Sequence, residues 1–255
     1  MNESVTEAWN SYWTQKLEDP FWRHVMQIGH PARILTDQLD LLRERQVRRI
    51  LLPGNGCSWL PHILVYLGFD VTVVDISSVA NDSVATAQLS PRMLADFLFV
   101  YKRDPDSSRR NHWVRDDEAT AQRVAREVAP GGKLSLVTAD IQDWNPSEPF
   151  DVIYDDRLAM LLPPEDLPAL ALDYSHWLDA CGICILHTIN MNTAARLPLE
   201  SAFMAAGFQK QDFRPKSTVP PSRSGLFSGF RKQPALPTPV ARPTTKDIYF
   251  IHGSG

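Results

Sequence analysis

Gly54-Asn55-Gly56 and Asp75 are the residues whose types and spacing point most directly to chemistry. A Gly-x-Gly turn lets the backbone pass close beneath a ligand, because no Cβ stands in the way. An acid at the tip of the next strand can accept hydrogen bonds from ribose hydroxyls. The elements that must position them are legible around them. Ile50-Leu51-Leu52 is too short for a helix and is bounded by Pro53 and Gly54, so it reads as a strand. A helix is expected from about Ser58 to Leu67, with Ser58 as N-cap and Gly68 as terminator. Val71-Thr72-Val73-Val74 is a second strand that delivers Asp75. Residues 48–76 therefore form one β-α-β unit built to hold a nucleotide-type ligand.

A dinucleotide site asks for Gly-x-Gly-x-x-Gly, but the third glycine position is Trp59. Bulk there crowds the approach of helix and strand around a pyrophosphate. S-adenosylmethionine has no pyrophosphate. It does have a ribose for Asp75 and an amino-acid tail that can lie over the glycine turn, so it is favoured over NAD. A glycine turn that serves only sterics is the bland alternative.

Further strands and helices alternate along the chain. Leu134–Val137 is a strand running into Asp140-Ile141, and Phe150–Tyr154 is one running into Asp155-Asp156-Arg157. A helix over 165–178, a strand over 182–188 and a helix over 199–206 follow. This alternation predicts an α/β, doubly wound, mostly parallel sheet with helices on both faces. Strands at 208–213 and 247–251 would add an antiparallel last strand. Ligands on such sheets sit beyond the carboxyl ends of the strands, which places Gly54, Asp75, Asp140, Asp155 and Asn190 around one crevice.

Residues 1–46 read as an N-terminal helical cap. A capping box at Ser4–Glu7 opens a helix carrying Trp9, Tyr12 and Trp13, a second helix starts at Asp19-Pro20, and a third spans about Ala32–Arg45. Residues 47–255 form the Rossmann-like domain, with an inserted helical segment at about 91–130 and a Pro-rich basic loop at about 214–246.

The 255 residues, 44% hydrophobic and 22% charged, suit one globular domain with appendages. A net charge of −4 argues against general nucleic-acid binding. No apolar run has the length of a membrane span, and the polar, acidic N-terminus lacks the features of a secretory signal, so a cytoplasmic protein is expected. Three cysteines make no disulfide framework. Cys181-Gly182-Ile183-Cys184 spells C-x-x-C, but it opens a strand and has no second pair, so it reads as buried small residues and no metal site is expected.

With these residues in view, the chain resembles the class I S-adenosylmethionine-dependent methyltransferases, and within them the thiopurine S-methyltransferase-like group. Trp9-Asn10-Ser11-Tyr12-Trp13 is similar to the group's W-x-x-x-W opening, with Tyr12 where the group usually has arginine. Leu52–Gly56, running on to Asp75-Ile76-Ser77, is similar to its P-G-C-G and V-D-I-S motifs, with Asn55 in place of cysteine. Phe150–Asp155 followed by Leu162-Pro163-Pro164-Glu165 resembles its F-D-x-x-Y-D and L-P-P-E segment. The group's arginine directly after Asp155 is replaced by Asp156, and Arg157 stands one place later as the candidate for substrate contact. The resemblance implies that Gly54, Asn55 and Gly56 approach the methionine part of the cofactor, that Asp75 and Ile76 lie at the ribose, and that Asp140 and Ile141 hold the adenine edge. It also implies that Asp155 lies near the amino-acid tail and that Trp13 packs beside the cofactor.

Methyl transfer from a sulfonium is an in-line displacement, so the protein mainly aligns the acceptor and excludes water. The expected activity is transfer to a small-molecule acceptor, a thiol or other soft nucleophile being able to react without a strong base. A nitrogen or oxygen acceptor would need a base, and Asp156 is the candidate. His187 reads as a satisfied core histidine. Two alternatives stay open: a methyltransferase for a protein or other macromolecule, and a non-catalytic methyltransferase-like partner or regulatory protein.

Overall fold

The computed structural model describes residues 3–20, 23, 39–87, 131–188, 193–211 and 246–252. Helix α1 (Glu3–Glu18) and helix α2 (Leu39–Glu44) precede strand β1 (Arg49–Pro53). Helix α3 (Leu60–Tyr66), strand β2 (Asp70–Asp75) and helix α4 (Ser78–Ala85) come next, and strand β3 spans Leu134–Thr138. A 3-10 turn (Ile141–Asp143) leads to strand β4 (Phe150–Asp156), the short helix α5 (Leu158–Leu161) and helix α6 (Leu167–Trp177). Strand β5 (Leu178–Thr188), helix α7 (Thr193–Ala205), strand β6 (Phe208–Gln211) and strand β7 (Lys246–His252) complete it.

The seven strands form one sheet in the order β3-β2-β1-β4-β5-β7-β6. The first five are parallel, and β7 runs antiparallel between β5 and β6. The expected fold class is therefore present. The antiparallel strand is inserted beside β5, however, and β6 forms the edge.

The chain moves outward from β1 through β2 to β3, then crosses to the other side of β1 for β4. That reversal creates a crevice beyond the carboxyl ends of β1 and β4, the place where open α/β sheets bind ligands. Both faces of the sheet are covered. On one, Ile153, Cys184 and Leu186 pack under Leu170, Tyr174, Trp177 and Phe203 from α6 and α7. On the other, Ile50, Leu52, Val152 and Ile185 pack under Leu42, Leu60, Ile63 and Leu64 from α2 and α3. Full burial of each such aliphatic side chain contributes roughly 1.5–3 kcal/mol, so the sheet gives the site a rigid floor.

Several local readings are revised. Helix α1 already begins at Glu3, so Ser4–Glu7 lies inside its first turn. Trp59, not Ser58, holds the N-cap position of α3; Ser58 is buried, and its Oγ accepts from Leu60 N–H at 3.3 Å. Helix α4 was not expected; Ser77 Oγ caps it by accepting from Ala80 N–H at 3.2 Å. Strand β5 starts at Leu178, before the C-x-x-C, and its register to β4 shifts between Phe150 and Val152. Cys184 is buried as expected, whereas Cys181 is exposed. The inserted segment at 91–130, the Pro-rich loop at 214–245, most of the second N-terminal helix and Asn190 lie outside the described residues.

Candidate active site

The glycine turn is built by three local devices. Gly54 and Gly56 both have φ of +59°, the left-handed region where a side chain is strained. Gly54 N–H donates to Val74 O at 2.8 Å, which fixes the turn to β2. Asn55 Nδ2 donates to Gly56 O and Ser58 O at 3.0 and 3.1 Å. Asn55 therefore braces the turn through its own amide, a role for which nothing in the β-α-β pattern gave a signal.

Asp75 ends β2 and faces the same turn. Its Oδ2 accepts from Gly56 N–H and its Oδ1 from Ser77 N–H, both at 2.8 Å. The residue is only 6% exposed. Burial pushes its carboxyl above the ordinary range, while the Ser77 and Gly56 N–H groups pull it back. Ile76 is half-buried beside it. Ser77 Oγ in turn donates to Asn10 Oδ1 at 2.7 Å, tying α1 to the strand tip.

Trp13 completes this closure. A Cβ placed on Gly56 would lie 2.3 Å from Trp13 Cζ2, so the indole ring rests directly on the glycine. Tyr12 meets both Trp9 and Trp13 edge-on, with centroids 5.4 and 5.0 Å apart. Leu158 covers Gly54 in the same way; a Cβ there would be 3.1 Å from Leu158 Cβ. The glycine turn is thus a cradle for flat or apolar groups, roofed by α1 and α5.

The neighbouring strand tips carry the other candidates. Asp140 follows β3, and its Oδ1 accepts from Gln142 N–H at 3.1 Å to start the 3-10 turn. Ala139 N–H bonds Asp75 O at 3.1 Å, so the two acidic tips are held side by side. Ile141 buries its side chain in the core.

Asp155 differs from expectation. It is 1% exposed, and its carboxylate points into the core below α5 and α6, accepting from Ala159 N–H and Tyr174 O–H, each at 3.0 Å. Burial pushes its carboxyl up to about 7, opposed chiefly by the Tyr174 hydrogen bond. Its carboxylate fixes the start of α5 through these hydrogen bonds, and its side chain faces the core. Asp156, one residue on, turns to the opposite face. Its Oδ1 lies 2.7 Å from His187 Nδ1 and 3.3 Å from Arg157 Nε. Arg157 sits in the left-handed region at φ +83°, a strained conformation for a residue with a Cβ. Its side chain turns back on Asp156.

No protein-family model and no curated protein matches the sequence. Solved structures do match. Magnesium protoporphyrin IX methyltransferase from Synechocystis PCC 6803, solved with bound S-adenosylmethionine, aligns over 98% of this chain and 95% of its own, with TM-score 0.55 and 11% identity. The same enzyme with bound S-adenosylhomocysteine covers 98% of both chains at the same score. The chain has the class I methyltransferase fold. A TehB-like S-adenosylmethionine-dependent methyltransferase from Corynebacterium glutamicum overlaps more loosely, at TM-score 0.44 and 15% identity over 82% of this chain and 86% of that one.

The residues at the crevice fit S-adenosylmethionine. Two backbone N–H groups occupy only part of the Asp75 carboxylate, since its two oxygens offer about four acceptor sites, so hydroxyl donors can still be served. Because Gly54 and Gly56 lack a Cβ, Leu158 and the Trp13 ring approach the turn's backbone closely. Among the described residues no three of His, Cys, Asp and Glu are grouped to hold a metal ion, and no helix is long and apolar enough to cross a membrane.

Proposed function

We propose that the protein is an S-adenosylmethionine-dependent methyltransferase acting on a small-molecule acceptor. The observation that carries this is the hydrogen bond from Gly56 N–H to the Asp75 carboxylate at 2.8 Å. It couples the turn that would carry the amino-acid tail to the acid that would hold the ribose. In this reading Asp75 and Ile76 face the ribose, Asp140 and the Ile141 backbone face the adenine edge, and Gly54, Asn55 and Gly56 underlie the tail. Trp13 supplies an aromatic wall beside the sulfonium, where a π face favours a cation. Arg157 is the candidate for acceptor contact. The contact of Trp13, the closing residue of the W-x-x-x-W opening, with Gly56 supports kinship with the thiopurine S-methyltransferase-like group.

One observation favours a second, non-catalytic reading: the Trp13 ring takes up part of the space above Gly56. Calorimetric titration with S-adenosylmethionine and S-adenosylhomocysteine separates the two. A methyltransferase binds both, and Asp75→Ala loses the binding while remaining folded. An intact protein that binds neither refutes the proposed function and leaves the non-catalytic reading.

A further inference from the structure

We infer that Asn10, on α1, is a further cofactor-binding residue: its side-chain amide donates to the oxygen of the ribose hydroxyl whose proton goes to Asp75. The inference rests on the methyltransferase reading and adds a residue to that same site.

The placement of α1 is the first observation. Asn10 and Trp13 stand three residues apart in the helix, so they project from one face. Trp13 rests on Gly56, and Asn10 is bonded to Ser77. Those are the two residues whose N–H groups hold the Asp75 carboxylate, Gly56 at Oδ2 and Ser77 at Oδ1. The Asn10–Trp13 face of α1 therefore spans the acid, and a hydroxyl that donates to Asp75 lies under that face.

Ser77 then fixes which way the Asn10 amide points. Ser77 is fully buried, and its Oγ already accepts from Ala80 N–H at 3.2 Å. Its own proton must still reach an acceptor, because a buried O–H left unbonded is costly. Asn10 Oδ1, at 2.7 Å, is that acceptor. The carbonyl end of the amide is thus turned to Ser77. The Nδ2 end, with its two N–H donors, is turned away from it. Asn10 is half-buried, and its Nδ2 has no partner among the described residues.

The third observation is the supply of donors. A ribose hydroxyl that gives its proton to Asp75 keeps two lone pairs. Asp75 is only 6% exposed, so a hydroxyl that reaches it is shielded from water and its oxygen calls for a protein donor. The surrounding donors are committed. The N–H groups of Gly56 and Ser77 go to Asp75, and the Ser77 hydroxyl goes to Asn10. Asn55 Nδ2 goes to Gly56 O and Ser58 O. Asn10 Nδ2 is the uncommitted one. With the ribose in place the bonds close into a ring. Ser77 O–H donates to Asn10 Oδ1, and Asn10 Nδ2–H donates to the ribose oxygen. The ribose O–H and Ser77 N–H both donate to Asp75. Every donor in the ring meets an acceptor, and bound cofactor ties α1 to the tip of β2.

The test uses the full chain and its Asn10→Ala variant. Ala is a better helix former than Asn, so α1 is retained. Calorimetry measures the affinity of both proteins for S-adenosylhomocysteine, for its 2′-deoxy and 3′-deoxy analogues, and for 5′-methylthioadenosine, which keeps the ribose and lacks the amino-acid tail. Asn10→Ala is expected to bind S-adenosylhomocysteine about tenfold more weakly than the parent. The same loss is expected with 5′-methylthioadenosine. With one of the two deoxy analogues the loss should shrink to within about twofold.

Failure of the parent to bind S-adenosylhomocysteine would sink the methyltransferase reading itself. Where the parent binds, three results overturn the inference and leave that reading standing. The first is an Asn10→Ala variant within about twofold of the parent for S-adenosylhomocysteine. The second is an equal loss for all four ligands, which makes Asn10 a mere anchor for α1. The third is a loss that persists with both deoxy analogues and disappears with 5′-methylthioadenosine, which places Asn10 at the tail. A readout on the parent alone is the 15N–1H pair of the Asn10 side-chain amide. It should shift when S-adenosylhomocysteine binds and stay near its ligand-free position with the analogue lacking the contacted hydroxyl. An Asn10 amide that does not respond to S-adenosylhomocysteine also overturns the inference.

Discussion

Replacing Asp155 by Asn should change how stability depends on pH. The side chain is enclosed on every side, with Tyr174 and Ala159 as donors. Burial, the leading cause, raises its carboxyl from an ordinary 3.8 to about 7. The folded state therefore holds a proton that the unfolded chain releases near pH 4. Stability from this group is fully present below pH 4 and is lost as pH rises towards and through about 7. At about 1.4 kcal/mol per pH unit, that window makes a loss of about 4 kcal/mol as an upper bound. Asn cannot ionise, yet its amide oxygen can still accept from Ala159 and Tyr174. The difference in unfolding free energy, variant minus parent, should climb through pH 4–7 and level off by pH 8. Urea denaturation at steps across that range measures it. A difference that stays flat from pH 4 to 8 would refute a protonated, buried Asp155.

Three other perturbations follow from the same geometry. Gly56→Ala would place a Cβ on a left-handed residue and 2.3 Å from the Trp13 ring; calorimetry should show at least a tenfold loss of S-adenosylhomocysteine affinity, with about 1–2 kcal/mol of backbone strain. Ser77→Ala removes the α4 cap and the anchor for Asn10; it should cost about 1 kcal/mol for the cap, read from the urea midpoint, and trypsin should cut at Lys16 faster than in the parent. Gly132→Ala would set a Cβ 1.8 Å from the backbone oxygen of Phe69; β3 must shift, at about 1–3 kcal/mol, again read by denaturation.

The sheet and the glycine turn were legible because they rest on local signals. Short apolar runs, a Gly-x-Gly turn and acids at strand tips each declare themselves within a few residues. Helix α4 was not legible, since Asn81, Asp82 and Ser83 are weak helix formers; the available sign was Ser77 as a cap. The roles of Asp155 and Asp156 were also hidden. Strand β4 is buried on both faces, with Val152, Ile153 and Tyr154 all in the core. Its residues therefore show no alternation to tell which acid turns inward. His187 was read as a core histidine, and it is buried. Its partner could not be inferred, because only the register of β4 on β5 brings Asp156 to it.

The central claim is that S-adenosylmethionine binds at the glycine turn beneath α1. Amide hydrogen exchange, with and without S-adenosylhomocysteine, tests the place of binding directly. Slower exchange is predicted at Gly54–Cys57, at Asp75–Ser77, at Asp140–Asp143 and along α1 around Asn10 and Trp13. Binding that leaves these segments unchanged, or that protects a different part of the chain, would contradict the account.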